Sequence, residues 1–344
     1  MMPRNSGRAM TELDNIRHWA GDKRGVYEVW YLTWNHPATD QGYWLRYLTE
    51  APSEGPPRAE LWFARFDPDR PDKTFGIHKH VPWSELASTA EPFSITIAGG
   101  TLGHDRAVGQ LSGDGHDIRW DLRWEPASHG LRLLPDVMYG GDGRAETIVQ
   151  SPNPRVPMSG TLVVDGESLT FDRAVLGQTH VFGKKHAYSW TWGRCAELGA
   201  EGALLELLGV RLQRRGITTP PMVLVTLDLD GEHHRFNQFR HVALNRGTWS
   251  GSSVMFSAWS PTVKLAGELS CRPSDMVSAP YLDPDGTHVF CANTEIGDAR
   301  LTVWKRSGLR WLEHRRLEGN RRAHFEIGGR VRDPAVVREH VLAR

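Results

Sequence analysis

Residues 26–34 read VYEVWYLTW, and their spacing decides the fold. In an extended chain Glu28, Trp30, Leu32 and Trp34 share one face, while Tyr27, Val29, Tyr31 and Thr33 share the other. The same period of two recurs in YWLRYLTEA (43–51), AELWFARFD (59–67), FSITIAG (93–99), DIRWDLRWEP (117–126) and GTLVVDGESLTF (160–171). Asp165-Gly166 and Asp230-Gly231 are two-residue hairpin signals. The second half continues in the same style, from GALLELLGVRL through TVKLAGELSC and ARLTVWKR to AHFEIGGRV. Only the N-terminal stretch has a helical pattern, with Thr11 placed to cap a short helix through about Trp19. Evenly spaced strands and tight turns predict an all-β protein built from antiparallel barrels or sandwiches.

The length of 344 residues exceeds one ordinary core and predicts two domains. QSPNPRVPMSG (150–160) carries three prolines, and RRGITTPPM (214–222) is a second polar loop. The domain change is placed near 175, giving units at 20–175 and 176–335. Lys+Arg and Asp+Glu balance at 41 each, which argues against a nucleic-acid or anionic-membrane partner. The longest apolar runs are too short to span a membrane, and the opening residues have no apolar signal region. Three widely spaced cysteines fit a reduced, cytoplasmic protein. The 14 tryptophans exceed what core filling needs and predict a cavity or interface with aromatic walls.

One segment concentrates chemistry: GQTHVFGKKHAYSWTWGRCAEL, residues 177–198. Read as a strand, it puts His186, Tyr188, Trp190, Trp192 and Arg194 on one face and small residues on the other. That face is either a packed core surface or the wall of a ligand pocket with a few directed donors. His180, flanked by small and apolar residues, is the candidate acid or base. Glu28 shares its face with Trp30 and Trp34. It is either half of a structural ion pair or an acid whose pKa is raised by an apolar pocket. His78 and His80 share a strand face but lack an evident third ligand, and the cysteines form no zinc-type pair, so no metal is expected. GxSxG, P-loop and GxGxxG patterns are absent, leaving the common hydrolase and nucleotide classes without support.

Glu28-Val29-Trp30-Tyr31 resembles the E-x-W-Y that opens the carotenoid hydratase (hydroxyneurosporene synthase) superfamily, to which tocopherol cyclases and lipocalin-like Diels–Alderases are similar. MSGTLVVDGESLTF, then THVFG and SWTWGRCAEL, resemble that family's mid-chain block. The resemblance implies two consecutive lipocalin-like barrels with residues 177–198 at their junction. It also implies a hydrophobic, isoprenoid- or polyketide-like ligand and no cofactor. Thr179 and Phe182 stand where the family pattern has an acidic residue and Trp, while His180 and Gly183 match. Glu28 is then the carboxylate left to protonate an alkene. The expected activity is a cofactor-free cyclase, isomerase or hydratase. His180 and Glu28 are expected to be catalytic, and Trp30, Trp34, His186, Tyr188, Trp190, Trp192 and Arg194 to bind substrate. The alternatives are a non-catalytic carrier on the same scaffold, or a carbohydrate-active sandwich, which would need a carboxylate pair at catalytic separation.

Overall fold

The computed structural model describes residues 10–19, 21–140, 145–200 and 202–343. Strand alternation sorts most of the chain into two large, mainly antiparallel sheets, with a separate two-stranded ribbon at 213–218. The first runs from Phe75–Pro82 through Arg58–Phe66, Gly42–Ala51 and Val26–Asn35 to Glu167–Gly183 and Thr147–Val164. It then continues through His116–Trp124 to a series of short strands ending at Ala87–Thr89. It curls so that Tyr47 Oη reaches the Thr101 carbonyl at 3.4 Å. Trp30, Leu32, Trp34, Tyr43 and Phe63 fill its interior. The second sheet centres on Ser189–Leu198, flanked by Ala203–Arg211 on one side and by Arg310–Gly329 and His288–Ser307 on the other. Cys195, Leu205, Leu207, Val225 and Phe325 lie in its core. The chain is an all-β protein of two lipocalin-like barrels. No helix among the described residues is long and apolar enough to cross a membrane.

Local chemistry explains the turns. Asp165 and Gly166 both take positive φ, 52° and 82°, as the tight hairpin between Val164 and Glu167 requires. The proline-rich 150–160 stretch, expected as a possible boundary loop, instead lies inside the strand Thr147–Val164. Pro152 and Pro154 fall at register shifts between Gln150 and Asn153 and between Asn153 and Val156, because proline cannot donate to the ladder, while Pro157 stays in register opposite Val175. Glu167–Gly183 stays in the first sheet to its end, so the change of sheet falls at 184–188 rather than near 175. The helix is a single turn, Met10–Leu13. Thr11 lies within it, and its hydroxyl donates to the Ala127 carbonyl at 3.0 Å instead of capping. Residues 14–19 then run without regular structure across the end of the first barrel.

The two sheets meet through the outer faces of Val26–Asn35 and Ser189–Leu198. Trp44, Trp62 and Phe66 from the first pack with Trp190, Ala279, Tyr281 and Ile296 from the second. Leu131 and Leu133 pack with Trp192, Ala196 and Leu208. Arg194 crosses this contact, 2% exposed, and donates from Nη1 to Thr33 Oγ1 at 3.1 Å. Gly177 makes room for it: a Cβ there would stand 1.5 Å from Nη1.

Gly177→Ala is therefore expected to destabilise the protein by about 1–3 kcal/mol in chemical denaturation. In an Arg194→Ala background the same substitution should cost much less, because the seat is vacant. Equal costs in the two backgrounds would show that the glycine serves something other than Arg194.

Candidate functional site

His180 and Glu28, paired in the sequence reading, do meet. His180 Nε2 lies 2.9 Å from Glu28 Oε1, and both side chains are fully buried. His180 Nδ1 donates to the Asp14 carbonyl at 2.6 Å, and its ring stacks on Trp30 at 4.7 Å. Glu28 Oε1 also accepts the backbone N–H of His18 at 2.7 Å, and Oε2 accepts that of Trp19 at 3.1 Å. Gln150 Nε2 donates to the Asp14 carbonyl at 2.7 Å, and Trp30 Nε1 to that of Asn15 at 3.0 Å. The pair thus fastens residues 14–19 over the barrel end, and every polar atom of both side chains is taken. His18 completes a group with Glu28 and His180 whose ligand-type atoms lie within 4.8 Å of one another. Hydrogen bonding to the strap engages Glu28 and His180, while the exposed His18 ring stacks on Phe182 at 3.8 Å.

A different set of residues opens to solvent. The outer faces of four consecutive first-sheet strands form the floor of a cleft of about 210 Å³ at the junction. Strand register builds that floor in rows: Tyr31, Arg46, Trp62 and His78 lie side by side, as do Tyr27, Glu50 and Arg58, and Leu48, Glu60 and His80. The roof comes from His186 and residues 280–284 of the second unit. Arg58 bridges Glu50 at 2.9 Å and Glu60 at 3.0 Å, and Trp62 Nε1 donates to Glu60 at 2.8 Å. Burial pushes the Glu50 carboxyl up to about 7, with Arg58 opposing the shift and Glu60 adding to it. Glu50 Oε1 is buried without a partner. His78 stacks on Trp62 at 3.9 Å, and burial lowers its pKa to about 4, so it is neutral.

Across the cleft, His186 Nδ1 donates to Asp283 Oδ1 at 2.6 Å, and Arg330 holds Oδ2 at 3.2 Å. Burial would raise the Asp283 pKa, but hydrogen bonding and charge from His186 outweigh it and hold the group below its usual range. Asp283 fixes the imidazole with its proton on Nδ1, leaving Nε2 as the basic nitrogen. The ring lies between Tyr27 at 5.0 Å and Trp190 at 4.9 Å. This arrangement supplies a carboxylic acid that carries a proton near neutrality and an oriented imidazole, between aromatic walls. Such a pair can add a proton at one atom of a bound molecule and remove one at another.

The expected residues therefore separate. His180, Glu28 and Trp30 form the strap anchor. Trp34 stacks on Tyr43 at 5.4 Å inside the first barrel. His186 lines the cleft; Trp190 backs it and donates to Glu326 at 2.7 Å. Trp192 packs its edge on Tyr31 at 5.4 Å and reaches Glu206 at 3.4 Å. Arg194 is sealed near Thr33, and Tyr188 is half-buried ahead of the strand, which begins only at Ser189. Trp30, Trp190 and Trp192 belong to three separate clusters among the described residues, and none of them lines the cleft. The reason is strand alternation: Glu28, Trp30 and Trp34 point into the barrel, and the odd-numbered residues of that strand face the junction. Sequence reading missed Arg46, Glu50 and Glu60. Their signal was a charge on every second or fourth position of strands whose neighbours are aromatic.

Glu50 and His78 give the fold opposing pH dependences. Glu50 keeps its proton to about 7 when folded, against 4.5 as its ordinary value, so its stabilisation is complete below 4.5 and lost as pH rises toward 7. His78 stays neutral down to about 4, against 6.5, so its contribution is complete above 6.5 and lost as pH falls toward 4. Between pH 5 and 6.5 the two offset. Glu50→Gln should therefore lose stability more steeply than wild type on acidification, by up to about 1.4 kcal/mol per pH unit. His78→Gln should lose it less steeply. Denaturation profiles parallel to wild type in both variants would refute these titrations.

No protein-family model matches the chain. Two uncharacterized proteins of Mycobacterium tuberculosis, from strains CDC 1551 / Oshkosh and H37Rv, are each 26% identical to it over 298 residues, covering 84% of this chain and 84% of the relative. Three solved structures align over most of the chain. One, provisionally assigned to AttH, is from Nitrosomonas europaea, with TM-score 0.55 and 16% identity, covering 96% of this chain and 100% of that one. Kievitone hydratase from Nectria haematococca gives 0.53 and 11%, covering 94% and 93%. CghA bound to Sch210972 gives 0.55 and 10%, covering 89% and 88%. At these identities the likeness is one of fold: the same lipocalin-like architecture.

Proposed function

We propose that this protein is a cofactor-free enzyme that moves protons on a hydrophobic small molecule held in the cleft between its barrels, in a hydration, cyclisation or isomerisation. The observation that carries this reading is Glu50, a buried carboxyl titrating near 7, in the same cleft as the His186–Asp283 pair. Glu50 delivers a proton to the substrate, and His186 Nε2 takes one from an attacking water or an acidic carbon. One proton is given and one taken, and His186 returns its proton to Glu50 through solvent before the next turnover, so no cofactor is invoked. Aromatic walls hold the reacting conformer. A hydratase and a protein crystallised with a small molecule among the fold neighbours support the same class.

His180 and Glu28 are positioning residues in this scheme. They tie residues 14–19 to the strand whose outer face carries Tyr27 into the cleft. The carrier reading and this one differ in whether the ligand is changed.

The molecule that co-purifies is first identified by native mass spectrometry and then used as substrate. Glu50→Gln and His186→Ala should each lower kcat by about 10²–10⁴ with small changes in affinity. His180→Ala should lower thermal stability and leave kcat of the folded fraction within a few-fold of wild type. A ligand returned unchanged by wild type would establish the carrier. Full turnover in both cleft variants would move the chemistry elsewhere.

A further inference from the structure

The acid–base scheme makes no use of Arg46, on the cleft floor. Arg46 is 4% exposed, and its guanidinium carbon lies 4.2 Å from the ring centroid of Tyr281, 5.4 Å from Trp62 and 5.8 Å from Trp44. Aromatic faces stabilise a cation through their quadrupoles, but they accept none of its N–H bonds. Among the described residues Nη1 is buried with no hydrogen-bond partner. The carboxylates that share the cleft are engaged elsewhere: Glu50 and Glu60 by Arg58, Glu60 again by Trp62, and Asp283 by His186 and Arg330. A buried guanidinium with an edge not used by the protein, walled by rings and lining a cavity, is suited to hold an anion.

The surroundings narrow what fills it. Guanidinium edges match planar oxyanions, which they can take in two parallel hydrogen bonds. Glu60 and Asp283 line the same cleft and would repel a second negative charge, so a phosphate or diphosphate fits poorly. Tyr27, Trp62, His186 and Tyr281 line the same space, so a ligand's body meets aromatic surface there. We infer that Arg46 binds the carboxylate of a flat, conjugated ligand whose body lies against these rings. The inference rests on the cleft being the ligand site, and it deepens that reading by naming the substrate class. Bound in this way, the ligand has its charge fixed on the floor and its body between Glu50 and the His186–Asp283 pair.

The test is affinity, read by tryptophan fluorescence and calorimetry on the full chain at pH 7.5, with 2-naphthoate and its uncharged isostere 2-naphthamide as probes. Wild type should bind the carboxylate at least about tenfold more tightly than the amide, the effect of one charge-assisted hydrogen bond. Arg46→Met, which keeps the volume against the rings, should abolish that preference while amide affinity stays within a few-fold. Arg46→Lys should retain part of it. Circular dichroism melts establish that each variant is folded. Equal affinity for the two probes, no binding of either at millimolar concentration, or a carboxylate preference that survives in Arg46→Met would each overturn the proposal. Glu50→Gln should keep the preference, so a failure of the catalytic scheme and a failure of the anion seat read out separately.

Discussion

The strand Val26–Asn35 is buried on both faces, and the rest of the molecule depends on how those faces are divided. Its inward residues complete the first barrel's core. Its outward residues, Tyr27, Tyr31 and Thr33, belong to the contact with the second barrel. A shift of one residue in its pairing would exchange the two sets, driving Glu28 toward the junction and Tyr31 into the barrel. The strap of residues 14–19 acts against that shift, because Glu28 can accept the two backbone N–H groups of His18 and Trp19 only from inside. Register, strap and junction are therefore one constraint.

Much of the fold was legible because alternation is a local property. The strands at 26–34, 43–51, 59–67 and 117–126 appear within a residue or two of their expected bounds, and both Asp-Gly hairpins form. The proline-rich stretch misled because proline can occupy a long strand wherever the ladder is already broken, and nothing local marks those breaks. The segment at 177–198 was rightly read as unusual, but its parts serve different ends. His180 goes to the strap, His186 to the cleft and Arg194 to the seam. Which face of a strand meets which partner is a long-range matter, and for the same reason Glu50 and Glu60 passed as ordinary strand charges.

The seam between the barrels is notably polar for a buried surface. Arg194, Glu206, Glu295 and His324 all lie within it, and burial moves each away from its usual titration range: Arg194 and His324 downward, Glu206 and Glu295 upward. Among the described residues Arg194 Nε and Nη2 and Glu206 Oε2 have no hydrogen-bond partner. Hydrophobic clusters lie on either side of this polar strip.

Residues 341–342 pair in parallel with Phe75–Pro82, and Ala343 N–H donates to the His78 carbonyl at 2.7 Å. The strand that carries His78 and His80 is thus an outer edge of the first barrel until a segment from far along the chain arrives to cover it. During synthesis the first barrel emerges with that edge bare, waiting through the whole second barrel for its partner. The site matures last: the cleft acquires its roof and its protected edge only when the polypeptide has been made nearly to residue 343. An incomplete chain would display an unsealed strand, open to association with another of its kind.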